Sequence, residues 1–434
     1  MEENARESVS TPIPGPRSRA LTEQLRRHES RNVTAFFDDF PVVWKGAAGA
    51  IVADVDGNRY IDLTAAFGVA NAGHANPRVA AAVAHQAKRL MHGMGDVHPN
   101  DVRADLLERL IALFPPKHHW KAFLATTGSE AVEAALKTAM LATKRTRFAA
   151  FRGAYHGLSL GTLPLCGIAT FRAPFTDALG PSAVWLDFPD AASDVAASDA
   201  IAGARAVLDA SGPIAAVVVE PIQGRAGCIV PPHGFLTALG ALCHEIGAAL
   251  ILDEIFTGFG RTGSWFAFER EGVLPDIVCI GKAMGSGFPI SAAVARSEIM
   301  DAWPLSEGEA LHTSTYLGNP MGCAAALATF DEIERLGLPQ RANELGSIVA
   351  ARLHEWCSRP SVRAVRGRGL FWGIELRDAA LAEAVVRRGL RNGVVLLQSG
   401  VRGDTLTIAP PLVIGEGTLA RGLDLVEGAL DSVE

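Results

Sequence analysis

A chain of 434 residues that is 49% hydrophobic and 20% charged carries enough apolar side chains for a large buried core. Its net charge of -7 argues against a basic nucleic-acid-binding surface, and no apolar run approaches the roughly 20 residues that span a bilayer. The six cysteines show no CxxC pair and no zinc spacing, so no metal is expected and a reducing cytoplasm is the simplest setting.

The first eighteen residues are acidic and then proline-rich, without a basic and apolar leader pattern; a poorly ordered arm is expected rather than a signal peptide. A helix followed by a loop is expected over about 19–40. Residues 49–54 and 60–63, joined at Asp56-Gly57, read as a hairpin, because Asp-Gly between alternating apolar residues suits a tight turn. Residues 65–74 read as a loop, 77–90 as a helix and 92–99 as a polar loop. From about 101 the pattern alternates. Strands are expected at 121–125, 147–151, 215–220, 249–253 and 276–280, with helices such as 101–114, 129–143 and 232–246 between them. The Ala/Asp-rich stretch 190–210 reads as a surface helix. Strands alternating with helices predict a mostly parallel, doubly wound sheet. After Pro320 an Ala-rich helix runs to about 336. Residues 362–376 and 393–408 then alternate like strands, with helices at about 378–391 and 415–430. The expected fold class is α/β: a large domain over 71–328, plus a smaller α+β domain built from both termini, 1–70 and 329–434.

Two apolar runs within 248–291 organise the candidate chemistry. Ala249-Leu250-Ile251-Leu252 delivers Asp253, and Ile277-Val278-Cys279-Ile280 delivers Lys282 after Gly281. Short β-branched runs bounded by turn signals suit fully buried parallel strands. In open α/β sheets ligand chemistry sits past the carboxyl ends of such strands. One carboxylate and one amine therefore reach the same sheet edge. Asp253 can keep a pyridine-type nitrogen protonated, since opposite charges favour each other's ionised forms. Lys282 can condense with an aldehyde and then carry protons. The plainer readings are a helix cap or structural ion pair for Asp253 and a solvated loop lysine for Lys282. Cys279, inside its strand, reads as a small buried hydrophobe. In Thr127-Gly128-Ser129-Glu130-Ala131, Gly128 follows a strand and Ser129 opens a helix, where orphan N–H groups can take an anion; capping by Ser129 is the alternative. Tyr155-His156-Gly157 can offer an aromatic face to a flat ring, or be a surface turn. Glu220 ends another apolar strand at the same edge, where a buried carboxylate needs partners.

Together these motifs resemble the class III (ornithine/4-aminobutyrate type) aminotransferases, which are fold-type-I pyridoxal phosphate enzymes. The resemblance runs from about 15 to 427. Its further landmarks are Asp54-Val55-Asp56-Gly57, Gly73-His74, Thr257-Gly258-Phe259-Gly260-Arg261-Thr262-Gly263, Thr315 with Gly318-Asn319-Pro320, and Arg366-Gly367-Arg368-Gly369-Leu370. It implies pyridoxal 5'-phosphate as cofactor, Lys282 as the Schiff-base lysine and Asp253 as the partner of the pyridine nitrogen. Gly128 and Ser129 would hold the phosphate, Tyr155 and Ile255 would cover the two ring faces, and Glu220 would stand in the same pocket. Thr315 would reach the phosphate of the neighbouring subunit, implying a homodimer with active sites at the interface.

The chain departs from this family where substrate is chosen. Leu158 stands where an arginine commonly follows Tyr-His-Gly. Thr407 stands where a carboxylate-binding arginine commonly precedes Pro-Pro-Leu. Arg225 replaces the glutamate that often partners that arginine, and Phe256 replaces a common glutamine. A carboxylate buried without a partner costs several kcal/mol, so a standard dicarboxylate or ornithine site is not expected. Either Arg225 takes an anionic group from a different direction, or the substrate is an amine without an α-carboxylate; a surface salt bridge is the plain reading of Arg225. Phe67, Trp44 and Met94 are further candidates for the pocket wall. The expected activity is ping-pong transfer of an amino group from a small-molecule amine donor to a carbonyl acceptor. A racemase or epimerase on the same fold, suggested by Pro14-Gly15-Pro16-Arg17-Ser18, is the first alternative. A non-catalytic, cofactor-holding regulatory protein is the second, and the intact Asp253 and Lys282 argue against it.

Overall fold

The apolar runs that end in the chemistry-bearing residues form neighbouring strands of one sheet in the computed structural model, which describes residues 6–37, 39–180, 183–193 and 195–433. Near the N-terminus lie β1 (Trp44–Ala48), β2 (Ile51–Asp54) and β3 (Arg59–Asp62). The large sheet follows, built from β4 (Trp120–Ala125), β5 (Phe148–Phe151), β6 (Val184–Leu186), β7 (Ala216–Val219), β8 (Ala249–Asp253), β9 (Ile277–Ile280) and β10 (Ser291–Arg296). Its seven strands run in the order β4-β10-β9-β8-β7-β5-β6. Strands β9, β8, β7, β5 and β6 pair in parallel, and β10 is antiparallel to both its neighbours.

Side chains alternate across this sheet, as strand geometry requires. Val217, Val219, Leu250 and Leu252 pack into one core cluster with Phe235, Leu239 and Leu208, from the helices Phe235–Ile246 and Ala197–Ser211. Ala216, Val218, Ala249 and Ile251 pack into a second with Ala131, Ala135 and Ala139, from the helix Gly128–Thr143. Burial on both faces explains why β7, β8 and β9 read as unbroken apolar runs. Cys279 is fully buried among them.

The C-terminal part holds β11 (Val362–Arg368), β12 (Phe371–Leu376), β13 (Val394–Val395), β14 (Leu397–Ser399) and β15 (Thr405–Ile408). One antiparallel sheet has the order β11-β12-β15-β14, and the other runs β1-β2-β3-β13. In the latter, β13 pairs in parallel with β3, so segments from both ends of the chain share a sheet. The first core cluster is continuous through all three parts, from Ile61 and Leu63 through Leu252 to Trp356, Leu406 and Leu423.

Three differences from the sequence expectation have physical causes. The described part of the N-terminal arm is fastened rather than loose: Asn58 Oδ1 accepts the N–H groups of Ser10 and Thr11, and Asp56 accepts those of Arg17 and Ser18. Residues 1–5 of the expected arm lie outside the described residues. The 19-residue helix Leu338–Trp356, not expected from the sequence, follows the helix Pro320–Arg335 after only Leu336 and the left-handed Gly337. Half of strand β10 is alanine, a weak strand signal, yet it is zipped between β4 and β9.

Candidate active site

Strand β8 ends at Asp253 and β9 ends two residues before Lys282, and Asp253 pairs directly with Cys279 across the two strands. Both side chains line a cavity of about 480 Å³ above this sheet edge, together with Gly128, Ser129, Tyr155, Glu220, Arg225, Ile255, Phe256 and Thr407.

Asp253 is only 4% exposed. Its Oδ1 accepts the Ile255 N–H at 3.1 Å, and its Oδ2 lies 2.8 Å from His156 Nδ1. Burial opposes a charged His156, but the hydrogen bond and charge of Asp253 prevail and hold the imidazole pKa above its ordinary value. Among the described residues, the buried His156 Nε2 has no hydrogen-bond partner. Nothing in the motif Tyr155-His156-Gly157 beyond its place between those residues marks His156 as the partner of Asp253.

Lys282 opens a short 3₁₀ turn, Lys282–Gly285, with φ of 43°, a left-handed value that costs a side-chain-bearing residue. Its Nζ lies 3.9 Å from the centroid of the Phe256 ring. Burial draws its pKa down to about 8, although Asp253 and Glu220 pull the other way.

The helix after β4 is capped by Thr127, not Ser129. Thr127 Oγ1 accepts the Glu130 N–H, and Glu130 Oε2 accepts the Thr127 N–H, a reciprocal capping box. The hydroxyl of Ser129 and the N–H groups of Gly128 and Ser129 stay outside those capping bonds. Space here is reserved by glycine: a Cβ on Gly157, where φ is +115°, would lie 2.0 Å from Ser129 Oγ, and one on Gly128 would lie 2.8 Å from Ile255 Cδ1.

Glu220 ties two loops together. Its Oε1 accepts the Tyr155 N–H and its Oε2 the Gly224 N–H, both at 2.9 Å. Burial pushes its pKa up to about 7, with His156 opposing. Tyr155 is half-buried and meets Phe171 edge-on at 5.7 Å.

The four departures at the substrate end separate. Phe256 packs on Phe371, ring centroids 4.4 Å apart. Thr407 is buried, and its hydroxyl lies 2.6 Å from Ser399 Oγ. Arg225 is exposed at the cavity rim, and no described acidic side chain pairs with it. Leu158 is 43% exposed and does not line the cavity. Thr315 is likewise exposed and outside it. Of the three candidate wall residues, Phe67 lines the cavity, whereas Trp44 and Met94 do not. Phe171, Leu397, Gln398 and Ser399 line it without any signal in their local sequence.

These residues fit pyridoxal phosphate. A buried carboxylate stands ready for a protonated ring nitrogen, an amine of lowered pKa for an aldehyde, and a helix N-terminus with glycine clearance for a phosphate. Fold and site thus define a fold-type-I pyridoxal phosphate transferase. The family model for class III aminotransferases matches residues 34–430. The chain belongs to that family and is a pyridoxal-phosphate-dependent aminotransferase working through a Schiff base by a ping-pong mechanism.

Its relatives include an acetylornithine aminotransferase of Methanopyrus kandleri, 40% identical over 91% of this chain and 95% of that one. A 4-aminobutyrate aminotransferase of Mycobacterium tuberculosis is 38% identical over 96% of each chain. Among solved structures, a PLP-bound amine transaminase from an uncultivated Pseudomonas species has a TM-score of 0.87 and 29% identity, covering 94% of this chain and 98% of that one. An (S)-enantioselective omega-transaminase from Thermomicrobium roseum has a TM-score of 0.87 and 27% identity, covering 98% and 100%.

Proposed function

We propose that Lys282 is the residue that holds the cofactor and moves the proton as an amino group passes from a small-molecule amine to a carbonyl acceptor. The observation that carries this reading is the meeting of Asp253 and Lys282 in one cavity, at the ends of paired parallel strands. When bound, pyridoxal phosphate supplies an aldehyde that condenses with primary amines and a protonated ring that draws electrons from the substrate carbon.

The chain's residues divide the remaining work. Asp253 would face the ring nitrogen, steadied by the Ile255 N–H and by His156. Gly128 and Ser129 would receive the phosphate at the helix N-terminus, where the backbone dipoles favour an anion. Tyr155 and Ile255 would close on the two ring faces, Tyr155 being held from behind by Glu220. With a pKa near 8, Lys282 carries a fraction of neutral amine at neutral pH. It can then take a proton from the substrate carbon and return it elsewhere.

A homodimer completes the reading. Thr315 would reach the phosphate of the partner, and its exposure supports this. So does the apolar surface beside it, where Met91, Met94 and Tyr316 are each more than half exposed. His92 packs on Tyr316 at 5.2 Å, and Asn319 Nδ2 donates to the Met91 carbonyl, which joins the two segments into one patch. We place the protein in the cytoplasm, a setting that suits its free cysteines.

Borohydride reduction of the cofactor-loaded protein, followed by peptide mapping, is expected to fix the cofactor's mass on Lys282. Lys282→Ala is expected to remove that mass. It should also lower transfer of labelled nitrogen to an added keto acid by at least roughly 100-fold. Label on another lysine, or none, would overturn the assignment.

A further inference from the structure

We propose that Arg225 is the carboxylate receptor of this cavity, so that carboxylate-bearing substrates dock at its rim rather than at Thr407. The inference rests on the aminotransferase reading of the same site.

The polar side chains near Thr407 are already engaged with one another or with backbone carbonyls. The Thr407 hydroxyl and that of Ser399 bond to each other at 2.6 Å, both side chains being buried. The Gln398 amide nitrogen donates to the carbonyls of Ala379 at 3.1 Å and Gly403 at 2.6 Å, which uses both its hydrogens. Among the described side chains, a carboxylate directed there would meet this buried hydroxyl pair rather than a guanidinium. Arg225 presents the opposite case. It lines the same cavity, and among the described residues no carboxylate lies within ion-pair distance of it. Its planar donors match a carboxylate in bidentate fashion.

The guanidinium rides on a pinned loop. Gln223 and Ile229 exchange two backbone hydrogen bonds of 3.0 Å. Within the loop they close, the Gly224 carbonyl accepts the N–H groups of Gly227 and Cys228, and the Arg225 carbonyl accepts that of Gly400. The Gly224 N–H is held by Glu220. A Cβ on Gly224 would lie 2.9 Å from Phe256 and 3.2 Å from Phe371, so the loop sits directly on that aromatic pair. Tyr155 lines the same cavity as Arg225, and the Arg225 charge opposes the rise that burial gives the Tyr155 hydroxyl pKa. A substrate would therefore lay its apolar part on Phe256 and turn its carboxylate to Arg225. One guanidinium suits a monoanion. A phosphate dianion would lack a second cation, since the other lysine or arginine among the described lining residues, Lys282, is given to the cofactor.

The test uses ligands that cannot react. Propanoate, butanoate and hexanoate are titrated into the cofactor-loaded protein by calorimetry, with hexanamide as the neutral control. The wild-type protein is expected to prefer hexanoate to the amide. Arg225→Gln is expected to weaken hexanoate by roughly 10- to 100-fold, the range for hydrogen bonds to a charged group, and to leave hexanamide unchanged. Arg225→Lys should fall between, and Thr407→Ala should leave hexanoate unchanged. Equal wild-type binding of acid and amide, or an Arg225→Gln protein that keeps its hexanoate affinity, would overturn the proposal. Borohydride trapping at Lys282 is read on the same samples. Loss of trapping in the wild type would sink the aminotransferase assignment, whereas calorimetry reports on Arg225 either way.

Discussion

At the scale of single residues, burial in the cavity sets the Lys282 amine and the Glu220 carboxyl against their solution behaviour. Lys282, drawn down to about 8 from an ordinary value of 10.5, has a measurable signature. Only the neutral amine attacks an acylating reagent. In cofactor-free protein, labelling of Lys282 should climb about tenfold per pH unit and level off near pH 8, while surface lysines continue to about 10.4. The stability sign follows from the same shift. Between about 8 and 10.5 the unfolded chain holds the proton that the folded chain has released, so stability should rise with pH through that window. Lys282→Met should flatten that part of the curve in a urea titration series; an unchanged slope would mean the amine is not buried in solution. Asp253 and Lys282 were legible in sequence because each follows a short apolar run, bounded by turn signals, that suits a buried strand. Thr407 and Leu158 were legible only as replaced arginines. That Thr407 is locked to Ser399 depends on how β14 and β15 lie together, and that Leu158 faces away depends on the turn at Gly157; neither is encoded locally.

Secondary-structure elements place these residues, and the least regular element lies at the cavity mouth. Ala65, Ala66, Phe67 and Gly68 have φ of 47°, 49°, 63° and 75°, a left-handed turn made mostly of residues that avoid it. Each such L-residue costs roughly 1–2 kcal/mol. Gly68 is required, because a Cβ there would lie 2.3 Å from Phe256. The turn thus seats Phe67, 62% exposed, over the cavity while its base touches the aromatic wall. Phe67→Val removes little buried surface but puts a β-branched residue at positive φ, so denaturant unfolding should show a loss of about 1–2 kcal/mol. Phe67→Gly relieves the strain but loosens the unfolded chain by about 0.5–1 kcal/mol, so it should come out near neutral. A Phe67→Val protein as stable as the wild type would show that the turn relaxes in solution. Sequence read this stretch as a Gly- and Ala-rich loop and could go no further, since Ala and Phe give no hint of left-handed backbone. The large-sheet strands were legible where both faces are apolar. Alanine-rich β10 and three-residue β6 were not, because their pairing comes from neighbours rather than from their own side chains.

Over the whole molecule, the parts around the cavity are joined by one buried cation. Arg261 is fully buried, and its Nη1 donates to the carbonyls of Leu370 at 2.8 Å and Pro410 at 2.7 Å, while Nη2 donates to Asn71 Oδ1. Residues from the large sheet region and from the C-terminal part therefore meet on a single guanidinium, which helps hold Phe371 against Phe256 and Thr407 in the cavity wall. What the single chain leaves open is the side carrying Thr315, Tyr316, Met91 and Met94. If a second copy covers that patch and lends Thr315 to the phosphate, assembly and cofactor binding are one equilibrium, because a ligand held by two chains stabilises their pairing. Met94→Glu combined with Tyr316→Glu places two carboxylates in the covered surface. Light scattering should then fall towards the 45.7 kDa of one chain. Cofactor affinity should fall in parallel, and dilution of the wild type should lower it in the same way. Thr315→Ala should remain a dimer and lose only the shared contact, about 1 kcal/mol or roughly fivefold in affinity. A monomeric double variant that binds the cofactor as tightly as the wild type would show that each chain completes its own phosphate site, and Thr315 would lose its assigned part.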